Sequence, residues 1–210
     1  MEENIAIMMA DLSGYTALTE THGPSSAADL IDKYMEIVET CLVGDSKFVE
    51  RTGDEVMIVS HSADQLLASA VLLINAISKE ENFLEIHGGL HFGKVLKRKN
   101  SFFGTSINLT SRIAAKASAG CFWCSEEFTN ALSGTALVKL EPKGKHSLKN
   151  ISEQQEMFEV VIENKKSFFI DPICRMLILN TEKAIKHPVK EDIFFCSPSC
   201  LDIHHKKRIE

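Results

Sequence analysis

No stretch of about 18 or more apolar residues occurs in this 210-residue chain, so no membrane-spanning helix is expected. The opening Met1-Glu2-Glu3-Asn4 is acidic before it turns apolar and lacks the basic n-region of a secretory signal. The expected location is the cytoplasm. Excess positive charge is missing too: 23 Lys and Arg against 29 Asp and Glu leave a formal charge of −6. That balance argues against a nonspecific nucleic-acid binder, whose affinity rests on phosphate contacts from Lys and Arg. Neither a nucleic acid nor a membrane is expected as partner. A nucleotide ligand is still allowed, because a metal ion can bring phosphates to carboxylates. Internal repeats and low-complexity tracts are also absent.

What is present is ordinary for a soluble globular protein, with 44% hydrophobic and 25% charged residues. The length accommodates one domain with a sizeable core and a small appendage. Six cysteines occur, at 41, 121, 124, 174, 196 and 200. In a reducing compartment they read as buried thiols or metal ligands rather than disulfides. Three of them crowd the C-terminal end, where the composition also shifts. The polar stretch 163–166 marks a boundary near residue 165, which divides the chain into domains 1–165 and 166–210.

Along the first domain, residues 4–10 read as a buried strand ending at a turn over 11–14. Pro24-Ser25-Ser26 offers the start of a helix to about Leu42, with Leu30, Ile31, Tyr34, Ile37, Val38 and Cys41 at helical spacing. Segments 47–50 and 56–59 flank Gly53-Asp54 as a hairpin. Ser62 caps a second helix to about Ser78. A strand follows over 84–96, interrupted by Gly88-Gly89 and Gly93. Residues 105–118 have helical composition, and 120–125, 136–140 and 157–162 read as strands. The order predicts an α+β sandwich, a mostly antiparallel sheet with helices on one face.

Asp11 closes the first strand and precedes a glycine-containing turn. Such a turn exposes backbone N–H groups that can cradle phosphates, and a carboxylate beside it can hold Mg²⁺. Asp54 lies at the hairpin tip. Taken alone, the two are equally compatible with ordinary turn and cap residues.

Four segments change that balance: Met9-Ala10-Asp11-Leu12-Ser13-Gly14-Tyr15-Thr16, Val49-Glu50-Arg51-Thr52-Gly53-Asp54-Glu55-Val56-Met57, Phe103 through Arg112, and Gly144-Lys145-His146-Ser147-Leu148-Lys149-Asn150. Together, in this order, they resemble the catalytic core of class III nucleotidyl cyclases over about residues 3–162. The resemblance implies a ferredoxin-like cyclase sandwich that converts GTP or ATP to the 3′,5′-cyclic nucleotide and pyrophosphate. Asp11 and Asp54, with Leu12, then match the site for two Mg²⁺ or Mn²⁺ ions. Residues Leu12, Ser13, Gly14, Tyr15 and Thr16 match the substrate-binding loop. Asn108 matches the asparagine that positions the ribose, Arg112 the arginine at the α-phosphate and Lys149 the lysine at the β- and γ-phosphates. Asn108 and Arg112, four apart, share one helix face.

Glu50 and Ser101 stand where adenylate-selective members carry Lys paired with Asp or Thr. A carboxylate accepts hydrogen bonds, which suits the N1–H and amino edge of guanine, and Ser101 can donate to O6. GTP is therefore favoured over ATP. The family's site lies between two subunits, so the resemblance also implies a homodimer. The competing reading is a cyclase-like module that binds nucleotide without turnover.

The appendage carries Asp171-Pro172-Ile173-Cys174-Arg175-Met176 and Phe194-Phe195-Cys196-Ser197-Pro198-Ser199-Cys200. Thiolates four apart at a turn-to-helix junction can converge on one soft metal, with a third brought in by a hairpin. The pattern resembles the small YHS/TRASH-type metal-binding module, with Arg175 in place of its glycine. It implies a Cys-rich module in which Cys174, Cys196 and Cys200 hold Zn²⁺ or Cu⁺. The fourth ligand is left among Met176, His204, His205 and solvent. Cys121 and Cys124 sit in a strand where their side chains would point apart, and His87 and His91 read as structural.

Overall fold

The first strand, β1 (Glu2–Leu12), is buried without a break from Ile5 to Ala10, the pattern of a strand covered on both faces. The structure is a computed structural model that describes residues 1–99, 101–134, 138–162, 169–178 and 180–206. In it β1 pairs antiparallel with β3 (Glu55–Ser60) on one side and with β4 (Ile86–Arg98) on the other. The sheet continues outward through β2 (Lys47–Thr52) at one edge. At the other it runs through β6 (Phe122–Ser125) and β8 (Gln155–Val161) to β7 (Lys139–His146). A short β5 (Ser101–Phe103) folds back on β4. Among the described residues every pairing is antiparallel except that of β4 with β6.

Alternate residues of β1 serve opposite layers. Ala6, Met8, Ala10 and Leu12 pack with Ile31, Tyr34 and Val38 of α1 (Tyr15–Cys41) and Leu66, Leu67 and Leu73 of α2 (Ala63–Ile77). Each such leucine or isoleucine stabilises the fold by about 1.5–3 kcal/mol. Ile5, Ile7 and Met9 point the other way, toward Ala114 and Ile107 of α3 (Thr105–Ala114). The two long helices cover one face as expected, and α3 adds a layer on the other. A short α4 (Glu126–Ala131) follows β6, its Ser125 side chain accepting from the Phe128 N–H.

The expected start of α1 at Pro24 is a real boundary inside a longer element, since Gly23 breaks the helix with φ of 81°. The α2 cap is as expected, with the Ser62 side chain accepting from the Gln65 N–H. By contrast, glycines 88, 89 and 93 do not interrupt β4. They thin it so that α3 can lie against it: a Cβ on Gly89 would come within 2.4 Å of the Ala114 backbone nitrogen, and one on Gly93 within 2.5 Å of Ser106 Oγ. The strand expected over 136–140 begins at Lys139 and runs on past Pro142 with a register shift before Gly144; residues 135–137 lie outside the described residues.

The expected boundary near 165 and linker 163–166 also lie outside the described residues. The tail beyond them holds two small hairpins, β9 (Phe169–Ile170) with β10 (Leu177–Ile178) and β11 (Ile185–Lys186) with β12 (Phe194–Phe195), then α5 (Pro198–Lys206). Its buried apolar side chains among the described residues are few: Ile178, Phe195 and Cys200. No described helix is long and apolar enough to cross a membrane.

Candidate active site

Asp11 and Asp54 reach the same place from different elements. Asp11 ends the buried part of β1, and Asp54 sits in the β2–β3 turn next to Gly53, whose φ is 65°. Burial and then the hydrogen bond and negative charge of Asp11 push the Asp54 carboxyl up to about 6. Two carboxylates that close cannot both ionise comfortably without a counter-charge. Asp11 Oδ1 is buried with no hydrogen-bond partner among the described residues. An acceptor-only, desolvated pair with a spare oxygen fits a hard divalent cation such as Mg²⁺ or Mn²⁺. Glu55 is close by: burial and then Asp54 raise its pKa, while Arg112 and a hydrogen bond from Ser111 act in the opposite direction.

Gly14 takes a left-handed φ of 93° at the start of α1, a conformation glycine adopts without penalty. That turn presents the first N–H groups of a helix, which have no partner within it. The Ser13 N–H is not among those available, because it donates to the Glu85 carbonyl at 2.8 Å. The turn N–H groups left at the helix start are those of Gly14, Tyr15 and Thr16, and Leu12 is buried in the core.

On α3, Asn108 is exposed and Arg112 half-buried, while Ile113 on the same helix is buried with Leu148 and Met157. Leu148 immediately precedes Lys149, so this small cluster fixes the exposed Lys149 turn beside the helix that carries Asn108 and Arg112. Glu50 and Ser101 are both exposed. Their neighbours Val49 and Phe102 belong to one apolar cluster under the sheet. A cavity of about 380 Å³ opens nearby, lined in part by His91, Gly93, Thr105, Leu109, Glu127 and Gln155. None of Asp11, Asp54, Asn108, Arg112 or Lys149 lines it.

His87, which reads as structural in the sequence, is part of this site. Its register partner across β1 and β4 is Asp11. Its Nδ1 lies 3.0 Å from Ser13 Oγ and its Nε2 4.0 Å from Asp11 Oδ2, so the ring sits between the carboxylate and the loop. Only the pairing of β1 with β4, an in-register placement, would have revealed it. His91, in contrast, is buried against Ser125 Oγ at 2.8 Å, the structural role expected.

In the tail, the Sγ atoms of Cys174, Cys196 and Cys200 and a carboxylate oxygen of Asp171 all lie within 4.8 Å of one another. Cys174 and Cys196 are 3.3 Å apart, Cys196 and Cys200 3.8 Å. Burial, with the neighbouring thiols and Asp171, pushes the Cys196 thiol up to about 12. His204 and His205 are not in this group, and Met176 Sδ faces Gln65 Nε2 at 3.9 Å. The group beside the thiols is instead Asp171, fully buried. Cys121 and Cys124 are apart in environment as expected: Cys124 is buried, and Cys121 faces Glu159 at 3.8 Å.

With this geometry in view, comparison with known proteins places the chain. Residues 1–164 match the model of the adenylate and guanylate cyclase catalytic domain, so the chain belongs to that family, the class III cyclases. Among curated relatives it is 30% identical over 119 residues to the adenylate cyclase of Streptomyces coelicolor, 56% of this chain and 31% of that protein. It is 32% identical over 113 residues to the adenylate cyclase of Streptomyces griseus, 53% of this chain and 28% of that one. The chain thus spans about a third of the length of the curated relatives it matches. The fold matches the adenylyl cyclase CyaB from P. aeruginosa with TM-score 0.67 and 18% identity, over 79% of this chain and 97% of that one. It matches the guanylate cyclase domain of RhGC from Catenaria anguillulae, solved in complex with GTP, with TM-score 0.65 and 19% identity, over 78% and 100%.

Proposed function

We propose that this chain cyclises a purine nucleoside triphosphate, GTP in preference to ATP, at a site shared by two copies of itself. The observation that carries the reading is the pair Asp11 and Asp54, brought so close that burial and Asp11 push the Asp54 carboxyl up to about 6, with a buried Asp11 oxygen left over to meet a cation. Asp11, Asp54 and Leu12 would hold Mg²⁺ or Mn²⁺, which when bound supplies positive charge for the triphosphate and acidity for the 3′-hydroxyl. The N–H groups of Gly14, Tyr15 and Thr16 orient the phosphates at the helix start. Asn108 holds the ribose so that its 3′-oxygen points at the α-phosphorus. As that P–O bond forms, the bond to the β-phosphate bridging oxygen breaks and pyrophosphate leaves; the hydroxyl proton goes to solvent. Arg112 offsets charge gathering at the α-phosphate, and Lys149 anchors the leaving pyrophosphate.

Within one chain Glu50, Ser101, Asn108 and Lys149 are exposed, and none of the proposed site residues lines the nearby cavity. That openness supports a site completed by a second copy, with Asp11 and Asp54 from one chain and Glu50, Ser101, Asn108, Arg112 and Lys149 from the other, in a closed two-fold dimer. Glu50 is an exposed carboxylate on β2, an acceptor for guanine's N–H edge. The tail, on this reading, is a YHS/TRASH-like module starting near residue 166 in which Cys174, Cys196 and Cys200 hold Zn²⁺ or Cu⁺ and through which metal modulates the cyclase. The experiment is product formation from GTP and from ATP with Mn²⁺. Cyclic nucleotide with faster GTP turnover is expected. Tight nucleotide binding without any cyclic product would instead favour the silent regulatory module.

A further inference from the structure

Asp171 and Arg175 give the tail's thiol cluster a connection to the rest of the molecule. Asp171 Oδ1 accepts the N–H groups of Ile173 at 2.8 Å and Cys174 at 3.3 Å, and its Oδ2 accepts that of Cys196 at 2.7 Å. One buried carboxylate thus ties both thiol-bearing turns together, and its lone pairs are turned toward backbone donors. It braces the site, leaving the three sulfurs to face a metal.

The next residue after Cys174 reaches out of the tail. Arg175 adopts φ of 61°, a left-handed conformation that disfavours a side chain by about 1–2 kcal/mol. Two contacts offset that strain. Arg175 Nη2 donates to the Thr40 carbonyl at 2.7 Å, and the Arg175 carbonyl accepts the Gly44 N–H at 2.9 Å. Thr40 belongs to the last turn of α1, whose carbonyls lack partners within the helix. Leu177 packs against the main core, and Met176 meets Gln65 at the start of α2. The ligand-bearing loop is therefore seated on the body of the protein at three successive residues.

About two turns before its end, α1 reaches the other site. Tyr34 is buried and its hydroxyl donates to the Ala10 carbonyl at 3.4 Å, one residue before Asp11. The last turns of a single helix thus touch the thiol loop at Thr40 and the strand carrying Asp11 at Tyr34.

We propose that the Cys174–Cys196–Cys200 cluster is an effector site for a thiolate-binding cation such as Zn²⁺, coupled to the nucleotide site through Arg175 and α1. The proposal rests on the reading of Asp11 and Asp54 as the nucleotide site. Drawing the three sulfurs onto one ion fixes the turn that carries Arg175, and Arg175 fixes the end of α1. Linkage then requires reciprocity: whatever factor Zn²⁺ imposes on nucleotide affinity, nucleotide imposes on Zn²⁺ affinity.

The test titrates Zn²⁺ into the full chain, in saturating Mg²⁺, with and without a GTP analogue that cannot cyclise. The expected result is a change in Zn²⁺ affinity of about fivefold or more on adding the analogue, matched by an equal change in analogue affinity on adding Zn²⁺. Arg175→Gly removes the guanidinium and relaxes the left-handed residue, so it threatens folding least. It should keep Zn²⁺ affinity without nucleotide within about threefold while erasing the ratio. Equal Zn²⁺ affinities in both arms of the native chain, or a ratio that survives R175G, overturn the coupling and leave the cyclase reading standing. Zn²⁺ stoichiometry unchanged by Cys196→Ser overturns the effector site itself. A chain that binds Zn²⁺ but no analogue overturns the proposal together with the nucleotide-site reading.

Discussion

The larger body and the tail are built on opposite principles. The body stacks two helices and a third against the two faces of one sheet, so that β1 is buried from Ile5 to Ala10. The tail buries Ile178, Phe195 and Cys200, makes two-residue strands, and clusters three thiols around Asp171. A segment of that size cannot draw enough stabilisation from apolar burial alone. Two kinds of cation chemistry follow the same division. The body offers oxygens, Asp11 and Asp54, for a hard ion, and the tail offers sulfurs for a soft one.

If the division is real, each half should lose its own cation chemistry while the other half keeps its fold. The largest effect is expected from Asp54→Asn, which removes one of the paired carboxylates. Cyclic nucleotide formation should fall by about 1000-fold, while one Zn²⁺ per chain is still taken up by the thiols. Next comes metal removal from the tail. At a Zn²⁺ concentration 100 times its dissociation constant, binding holds the tail closed by about 2.7 kcal/mol. A chelator should therefore raise proteolytic cleavage after residue 169 by about 100-fold, with the melting of the body unchanged. Joint unfolding of both would show that they are one cooperative unit.

Gly89→Ala tests the body alone. Its Cβ would meet backbone at 2.4 Å, which α3 can relieve only by moving away from β4. A loss of about 1–3 kcal/mol in denaturant unfolding is expected, with reduced turnover because Asn108 and Arg112 move with the helix. The smallest effect is the pH dependence of Mn²⁺ binding. With the Asp54 carboxyl at about 6, a proton competes with the cation below that pH. Affinity measured calorimetrically should weaken by up to about tenfold per pH unit on acidification from 6 to 5 and level off above 7.

Most of this division is legible in the sequence because the proposed site residues are held by local signals. Asp11 ends an apolar run, Asp54 occupies a hairpin turn, Ser62 caps a helix, and the tail's cysteines stand at ligand spacing. What is not legible depends on partners distant in sequence. Gly89 and Gly93 look like breaks until α3 is seen lying across them. His87 looks structural until β4 is aligned with β1 and places it opposite Asp11. Asp171 is legible as the opening of the tail's motif, but its part in accepting the N–H groups of both thiol turns is not. The parallel pairing of β4 with β6, and a β7 that runs through Pro142, are decided by the neighbouring strand rather than by local propensity.

A cyclase site assembled from two copies of this chain is tested most sharply by complementation. Asp54→Asn and Arg112→Ala variants are prepared separately, mixed under conditions that exchange subunits, and assayed for cyclic nucleotide with Mn²⁺ and GTP. Each variant alone should be nearly inactive, because both sites of its homodimer are damaged. The mixture should recover about a quarter of native activity, since half of the random dimers carry one intact site. A mixture that remains as inactive as its parts, beside an active native protein, would contradict the shared site.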